Sequence, residues 1–331
     1  MIGRRTFLAT FTCAVVVARS LVEAQVTGKI YRIGYLGQGS KSTEFADGEA
    51  LPALLQDLRA LGYVEGTNIS FDMRFADGRP ELLGARAAQL VKAKPDVIAV
   101  SSVGLAEILL EYTRTIPVVA LNAGQLQAEP SVRTLARPGG NLTGMQIFSP
   151  ETMGKRLQFL QEVVPGLRGV AVLRGVPYAG PGYELYRDST ATAAAKLGIG
   201  IRFLQFDNID DLNRLFDEMT SQHDQALLIW GNPHLRGYGK EIVALTIRHR
   251  LPAIADVRIH PSLLMVYGAK LADVRREAAT YVDRILRGAN PGDLPIGQPR
   301  TFELIINTTT AKAIDLTIPQ SLLRRADQVV E

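Results

Sequence analysis

The feature that most constrains this chain is a short apolar run, Pro95-Asp96-Val97-Ile98-Ala99-Val100, which stops at two serines and gives way to an amphipathic segment. Its length and residue types are those of a strand buried on both faces that feeds directly into a helix. Such a junction leaves backbone N–H groups and the positive end of a helix dipole at the carboxyl end of the strand, beside Ser101 and Ser102. The same grammar returns roughly 130 residues later, the kind of repeat that decides an architecture. Leu61-Gly62-Tyr63, the 95–100 run and Ile116-Pro117-Val118-Val119-Ala120 are echoed by Leu197-Gly198-Ile199, Ala226-Leu227-Leu228-Ile229 and Leu251-Pro252-Ala253-Ile254-Ala255. Two similar α/β lobes are predicted, with their strand ends facing across a cleft that encloses a small molecule.

A length of 331 residues suits two lobes of ordinary size, each with an adequate core. Arg4 and Arg5 precede an apolar stretch over 7–18, and Val22-Glu23-Ala24 offers a small residue before a cleavage point at Gln25. This reads as an export leader over 1–24, compatible with both the general and the twin-arginine route; the run is short for a membrane anchor. The formal charge of +4 falls by two once Arg4, Arg5, Arg19 and Glu23 of that leader are set aside. So small an excess, with basic and acidic residues interspersed, argues against a nucleic-acid partner. The one cysteine, Cys13, lies in the leader after Thr10-Phe11-Thr12, a poor context for lipidation. A periplasmic product follows.

Lobe one is predicted over 29–144 with about 268–295 returning to it, lobe two over 145–267, and a crossing strand with helices over 296–331. Within lobe one, strands are expected at 30–36, 69–75 and 117–121. Pro52 lies inside the first helix, Pro80 opens a helix running to Ala93, and Asn122 to Gln125 form a loop. Lobe two alternates helices at 150–163, 183–197, 209–220 and 238–249 with strands at 169–173, 199–205 and 226–229. A strand at 263–267, a helix at 270–287 ended by Gly288 and a strand at 301–307 follow.

Candidate ligand contacts sit at strand carboxyl ends: Gln38, Ser101, Ser102, Asn122 and Gln125 in lobe one, and Tyr178, Trp230, Asn232 and Asp256 in lobe two. Each also has a structural reading. The serines are natural helix caps, Asn122 and Gln125 natural turn residues, Trp230 natural core, and Asp256 a surface acid or a grip for an amine. Enzyme signatures are weak. The Gly34 to Ser42 turn approaches a phosphate loop, but Lys41 is displaced by one residue, and Ser42 stands where a dinucleotide fingerprint has its third glycine. His223, His234, His249 and His260 lack metal spacing, and no Gly-x-Ser-x-Gly elbow occurs. No cofactor is expected; a cofactor-dependent α/β enzyme built on that turn is the alternative.

Three long stretches carry a resemblance. They are Leu135-Ala136-Arg137-Pro138-Gly139-Gly140-Asn141-Leu142-Thr143-Gly144, the segment from Tyr281-Val282-Asp283-Arg284 through Gly288-Ala289-Asn290-Pro291-Gly292-Asp293, and Phe302-Glu303-Leu304-Ile305-Ile306-Asn307. In this order they resemble the ABC-transporter substrate-binding proteins, in the group that includes tryptophan- and tyrosine-type solute receptors. The resemblance implies a type I periplasmic-binding-protein fold: two Rossmann-like lobes with mainly parallel central sheets and hinge crossings. It also implies a receptor that hands a small solute to a membrane permease with its cytoplasmic ATPase, without catalysis; the expected cargo is amino-acid-like, aromatic or carboxylate-bearing, and the receptor is expected to be a monomer. The cargo does not carry over, because Ser102-Val103-Gly104 and Gly124-Gln125-Leu126 depart from the family's pocket motifs.

Overall fold

The computed structural model describes residues 29–45, 50–175, 181–231 and 233–331; the leader expected at 1–24, Tyr178 and Asn232 lie outside these. In lobe one, β1 (Tyr31–Gly37), α1 (Lys41–Glu44), α2 (Ala50–Ala60), β2 (Ile69–Phe75), α3 (Leu83–Lys92), β3 (Val97–Val100), α4 (Val103–Tyr112), β4 (Val118–Ala123) and β5 (Leu142–Gln146) follow in turn. The five strands are all parallel, ordered β2-β1-β3-β4-β5. The central run behaves as its composition demands. Val97 and Ala99 face α2, whereas Ile98 and Val100 face α3 and α4, and all four are fully buried.

The chain then builds α5 (Glu151–Val163), β6 (Gly169–Gly175), α6 (Pro181–Leu197), β7 (Gly200–Phe206), α7 (Ile209–Ser221), β8 (Ala226–Ile229), α8 (Pro233–Arg236), α9 (Gly239–Arg248), β9 (Ala253–Ala255) and β10 (Met265–Ala269). These strands repeat the first topology in the order β7-β6-β8-β9-β10, again parallel. The duplication reaches individual bonds. Ile98 N–H donates to the Pro117 carbonyl at 2.8 Å, and Leu227 N–H donates to the Pro252 carbonyl at 2.8 Å. Gly62 and Gly198, which follow α2 and α6, both take positive φ, +92° and +67°.

After β10 come α10 (Leu271–Leu286), β11 (Phe302–Asn307), α11 (Thr308–Ala313), α12 (Gln320–Leu323) and β12 (Gln328–Val330). Helix α10 returns to lobe one, where Val274, Ala278 and Val282 share a core with Leu51, Leu54 and Leu58 of α2. Strand β11 pairs antiparallel with β10, and β12 parallel with β11, extending the second sheet to seven strands. The chain therefore passes between the lobes three times: after β5, after β10 and before β11. The passages are tied together, Gln146 N–H donating to the Gly297 carbonyl and Lys270 N–H to the Thr301 carbonyl, both at 3.0 Å.

Some boundaries differ from the sequence reading. Strand β4 runs through Asn122 and Ala123, with a register shift after Ala120, because Ile147 N–H donates to the Ala123 carbonyl and prolongs the pairing. Pro80 opens a 3₁₀ turn, Pro80–Leu82, ahead of α3. Pro52 falls in the first described turn of α2. Strand β10 lies two residues later than expected.

A second 3₁₀ turn, Leu126–Ala128, follows β4 and packs across the cleft on α6. Next to it Glu129 is buried in lobe one. Burial, then a hydrogen bond with Glu107 and that residue's charge, push its carboxyl up to about 8.

Two outcomes follow for stability. Gly268 passes so close to the Asp256 carbonyl that a methyl group there would overlap it. Gly268→Ala should cost about 1–3 kcal/mol, read as a lower midpoint in chemical denaturation. Glu129 is favoured in its protonated form when folded, so the stability it contributes is complete below its ordinary value of 4.5 and lost as pH rises through about 8. Glu129→Gln should flatten the melting-temperature profile across that window and melt above the parent at its upper end. A parent profile already flat there would contradict the assignment.

Candidate functional site

The carboxyl ends of β4, β8 and β9 converge with two of the interlobe passages on a cavity of about 40 Å³. Lobe one contributes Gly124 and Gln125; the passage after β5 contributes Ile147 and Phe148. From lobe two come Arg156 on α5, Trp230 and Gly231 after β8, and Asp256 and Val257 after β9, while Ala269 and Leu271 flank the passage into α10. This is the edge at which open parallel sheets hold ligands.

Two opposite charges define the site. Arg156 is only 3% exposed, on the apolar stripe of α5 between Met153 and Leu157. Its Nε donates to the Tyr267 carbonyl at 2.7 Å and its Nη1 to the Met153 sulfur at 3.4 Å, which fixes the guanidinium at the cavity wall. Burial pushes its pKa down, and the Asp256 carboxylate opposes that. Asp256 keeps some surface toward the cavity, yet dense protein around it pushes the carboxyl up, with Arg156 and then the Gly231 N–H as the main opposing influences. Its Oδ1 accepts from Gly231 N–H at 2.7 Å. Only glycine fits at position 231, since a Cβ would overlap Val257 and come within 2.8 Å of that same oxygen. Among the described residues no direct ion pair joins Arg156 to Asp256, so the two act on each other through space.

Facing them from lobe one, Gln125 is 1% exposed, and neither its Oε1 nor its Nε2 has a hydrogen-bond partner. Asn122 Oδ1, at the end of β4, is likewise buried and unpartnered. Leaving such groups bare costs about 1–3 kcal/mol each, a cost that polar ligand atoms remove. The aromatic wall is arranged differently. Trp230, 8% exposed, lies parallel to Tyr186 with centroids 4.3 Å apart and stacks less closely on Tyr183 at 5.7 Å. Arg174 covers the Tyr183 ring at 3.8 Å, and Phe148 leans on Tyr186 at 6.0 Å.

Of the residues singled out from the sequence, Gln125, Trp230 and Asp256 lie together on the cavity wall. Ser102 caps α4, its Oγ accepting from Leu105 N–H at 3.3 Å, and neither it nor Ser101 nor Gln38 is among the described lining residues. Tyr178 and Asn232 fall outside the described residues. Sequence reasoning missed Arg156 and Phe148. The signal for Arg156 was its place on the hydrophobic stripe of α5, where a charge needs a partner. A second, more open hollow of about 210 Å³ lies beyond the Asp256 and Val257 segment, toward Glu303 and Arg258. There Arg258 is held by Gln328 at 2.9 Å.

The glycine turn after β1 is not shaped for phosphate. Gly39 N–H donates to Glu44 Oε1 at 2.8 Å, and Tyr35 donates to Glu44 Oε2 at 2.7 Å, so a carboxylate already sits at that donor and would repel a second anion. The described residues contain no group of three or more side chains able to hold a metal ion, and none of their helices is long and apolar enough to cross a membrane.

A family model described as ABC transporter substrate binding protein matches residues 48–330. A tyrosine-binding protein of Clostridioides difficile (strain R20291) is 22% identical over 271 residues, covering 81% of this chain and 77% of its own length. Among solved structures, an ABC domain from Streptococcus pneumonia in complex with L-Trp superposes with a TM-score of 0.82 at 19% identity, covering 91% of this chain and 100% of that one. A conserved domain protein from Vibrio cholerae gives 0.80 at 23% identity with the same coverage. The fold is that of type I periplasmic binding proteins. Since the family model extends over both lobes and all three passages between them, this chain belongs to the ABC transporter substrate binding protein family.

Proposed function

We propose that the chain is an exported receptor that closes its lobes on an amino-acid-like zwitterion and presents it, chemically unchanged, to the permease of an ABC transporter with its cytoplasmic ATPase. One observation carries the cargo class: a buried cation, Arg156, and a half-buried anion, Asp256, on one wall of the interlobe cavity, with no direct ion pair between them. An α-amino acid carries the complementary pair. Its carboxylate suits the Arg156 guanidinium and its ammonium the Asp256 carboxylate, while Gln125 supplies an unengaged donor and acceptor from the opposite lobe. The tyrosine-binding relative and the L-Trp complex bear names that fit an amino-acid cargo.

Export to the periplasm by the 1–24 leader, cleavage after Ala24 and action as a monomer complete the reading. The absence of chemistry belongs to it as well. The enzyme alternative relied on a turn whose N–H is engaged by Glu44. Binding stabilises the folded chain by RT ln(1 + [L]/Kd), so a panel of the twenty amino acids should reveal a ligand by its rise in melting temperature. Asp256→Asn and Arg156→Met should each weaken that ligand by about 2–5 kcal/mol in calorimetry, the cost of stranding one charge of a buried pair. Full affinity in both variants, or silence across the panel, would refute the zwitterion reading.

A further inference from the structure

Resting on that reading, we infer that the receptor selects compact amino acids, of the size of glycine, alanine or serine, and that Trp230 and Tyr186 exclude aromatic ones. The charged pair reads the part common to all amino acids. The space beyond it reads the side chain, and here that space is taken by the protein's own rings.

Three observations converge. The cavity is small, about 40 Å³. The lobes are in contact across the cleft, where the Leu126–Ala128 turn meets α6, so this volume belongs to closed lobes. Finally, the aromatic wall is held firmly. Tyr186 is fully buried and faces Trp230 at 4.3 Å with planes 14° apart, so one indole face is covered and no slot separates the two rings. Phe148 from the interlobe passage supports Tyr186. An indole or phenol needs a slot that buries about 150–250 Å² of its surface. Making one would break the Trp230 to Tyr186 stack or prevent closure.

Closure decides selectivity. Open lobes admit many solutes, but only one that fits the closed cavity lets the Leu126–Ala128 turn reach α6, and affinity follows the difference between those states. Overfilling a packed site costs about 1–3 kcal/mol, which converts to roughly 5- to 150-fold in affinity.

The test is titration calorimetry of the full mature protein with glycine, L-alanine and L-serine against L-phenylalanine, L-tyrosine and L-tryptophan. Binding of one or more compact ligands, with every aromatic one about tenfold or more weaker, is the expected result. Trp230→Ala should narrow that gap or reverse it, whereas Trp230→Phe should keep the compact preference. An aromatic ligand bound as tightly as the best compact one would overturn the size inference while leaving the amino-acid receptor intact. Failure of all six, with no other amino acid binding, would overturn the underlying reading instead. Should Trp230→Ala not fold, the parent protein's six titrations still decide.

Discussion

Holding two opposite charges apart at the interlobe cleft is the constraint on which this site depends. A guanidinium or carboxylate moved from water into protein loses several kcal/mol of hydration even after relaxation, and a direct ion pair would recover part of it. Arg156 and Asp256 do without that contact. Each is held by the main chain, Arg156 by the Tyr267 carbonyl and Asp256 by the Gly231 N–H. Tyr267 lies within β10 and Gly231 just beyond β8, so the sheet itself sets the spacing of the charges. The glycines at 231 and 268 serve the same end, because a side chain at either would collide with Asp256 or its neighbour Val257.

The wall of the site shares residues with the passages between the lobes. Phe148 N–H donates to the Gly124 carbonyl at 3.1 Å, fastening the first passage to the lobe-one loop that carries Gln125. Ala269 and Leu271 line the cavity on either side of the second passage, and Lys270 between them is bonded to Thr301 on the third. Any ligand that displaces Phe148 or Leu271 therefore acts on the passages directly.

Much of the scaffold was legible because buried parallel strands have a distinctive composition. The 97–100 and 226–229 runs, uniformly apolar and ended by polar or aromatic residues, lie where they were expected, and the repeated Leu-Gly and Leu-Pro or Ile-Pro signatures mark the same turn and pairing in each lobe. The site was harder to read. Trp230, Gln125 and Asp256 follow strands directly, so position at a strand end was enough to bring them forward. Arg156 sits on a helix face, and its role depends on how α5 packs against the Tyr267 carbonyl, 111 residues away in the chain. Ser102 carried the complementary ambiguity. Its hydroxyl satisfies α4, a need as local as the strand-end position that made it a candidate ligand contact.

On the proposed reading, the unpaired polar groups are what separates the loaded receptor from the empty one. With the lobes closed, the Gln125 amide is desolvated and unbonded, and Arg156 and Asp256 keep most of their burial cost. Opening returns water to all of them, which favours the open form when no solute is present. A zwitterion reverses the balance, since its two charges and their hydrogen-bonding capacity replace that water while the lobes remain shut. The permease then has two states of the receptor to tell apart. On that reading the free energy separating them comes from the same groups that hold the cargo, and recognition and signalling share one set of side chains.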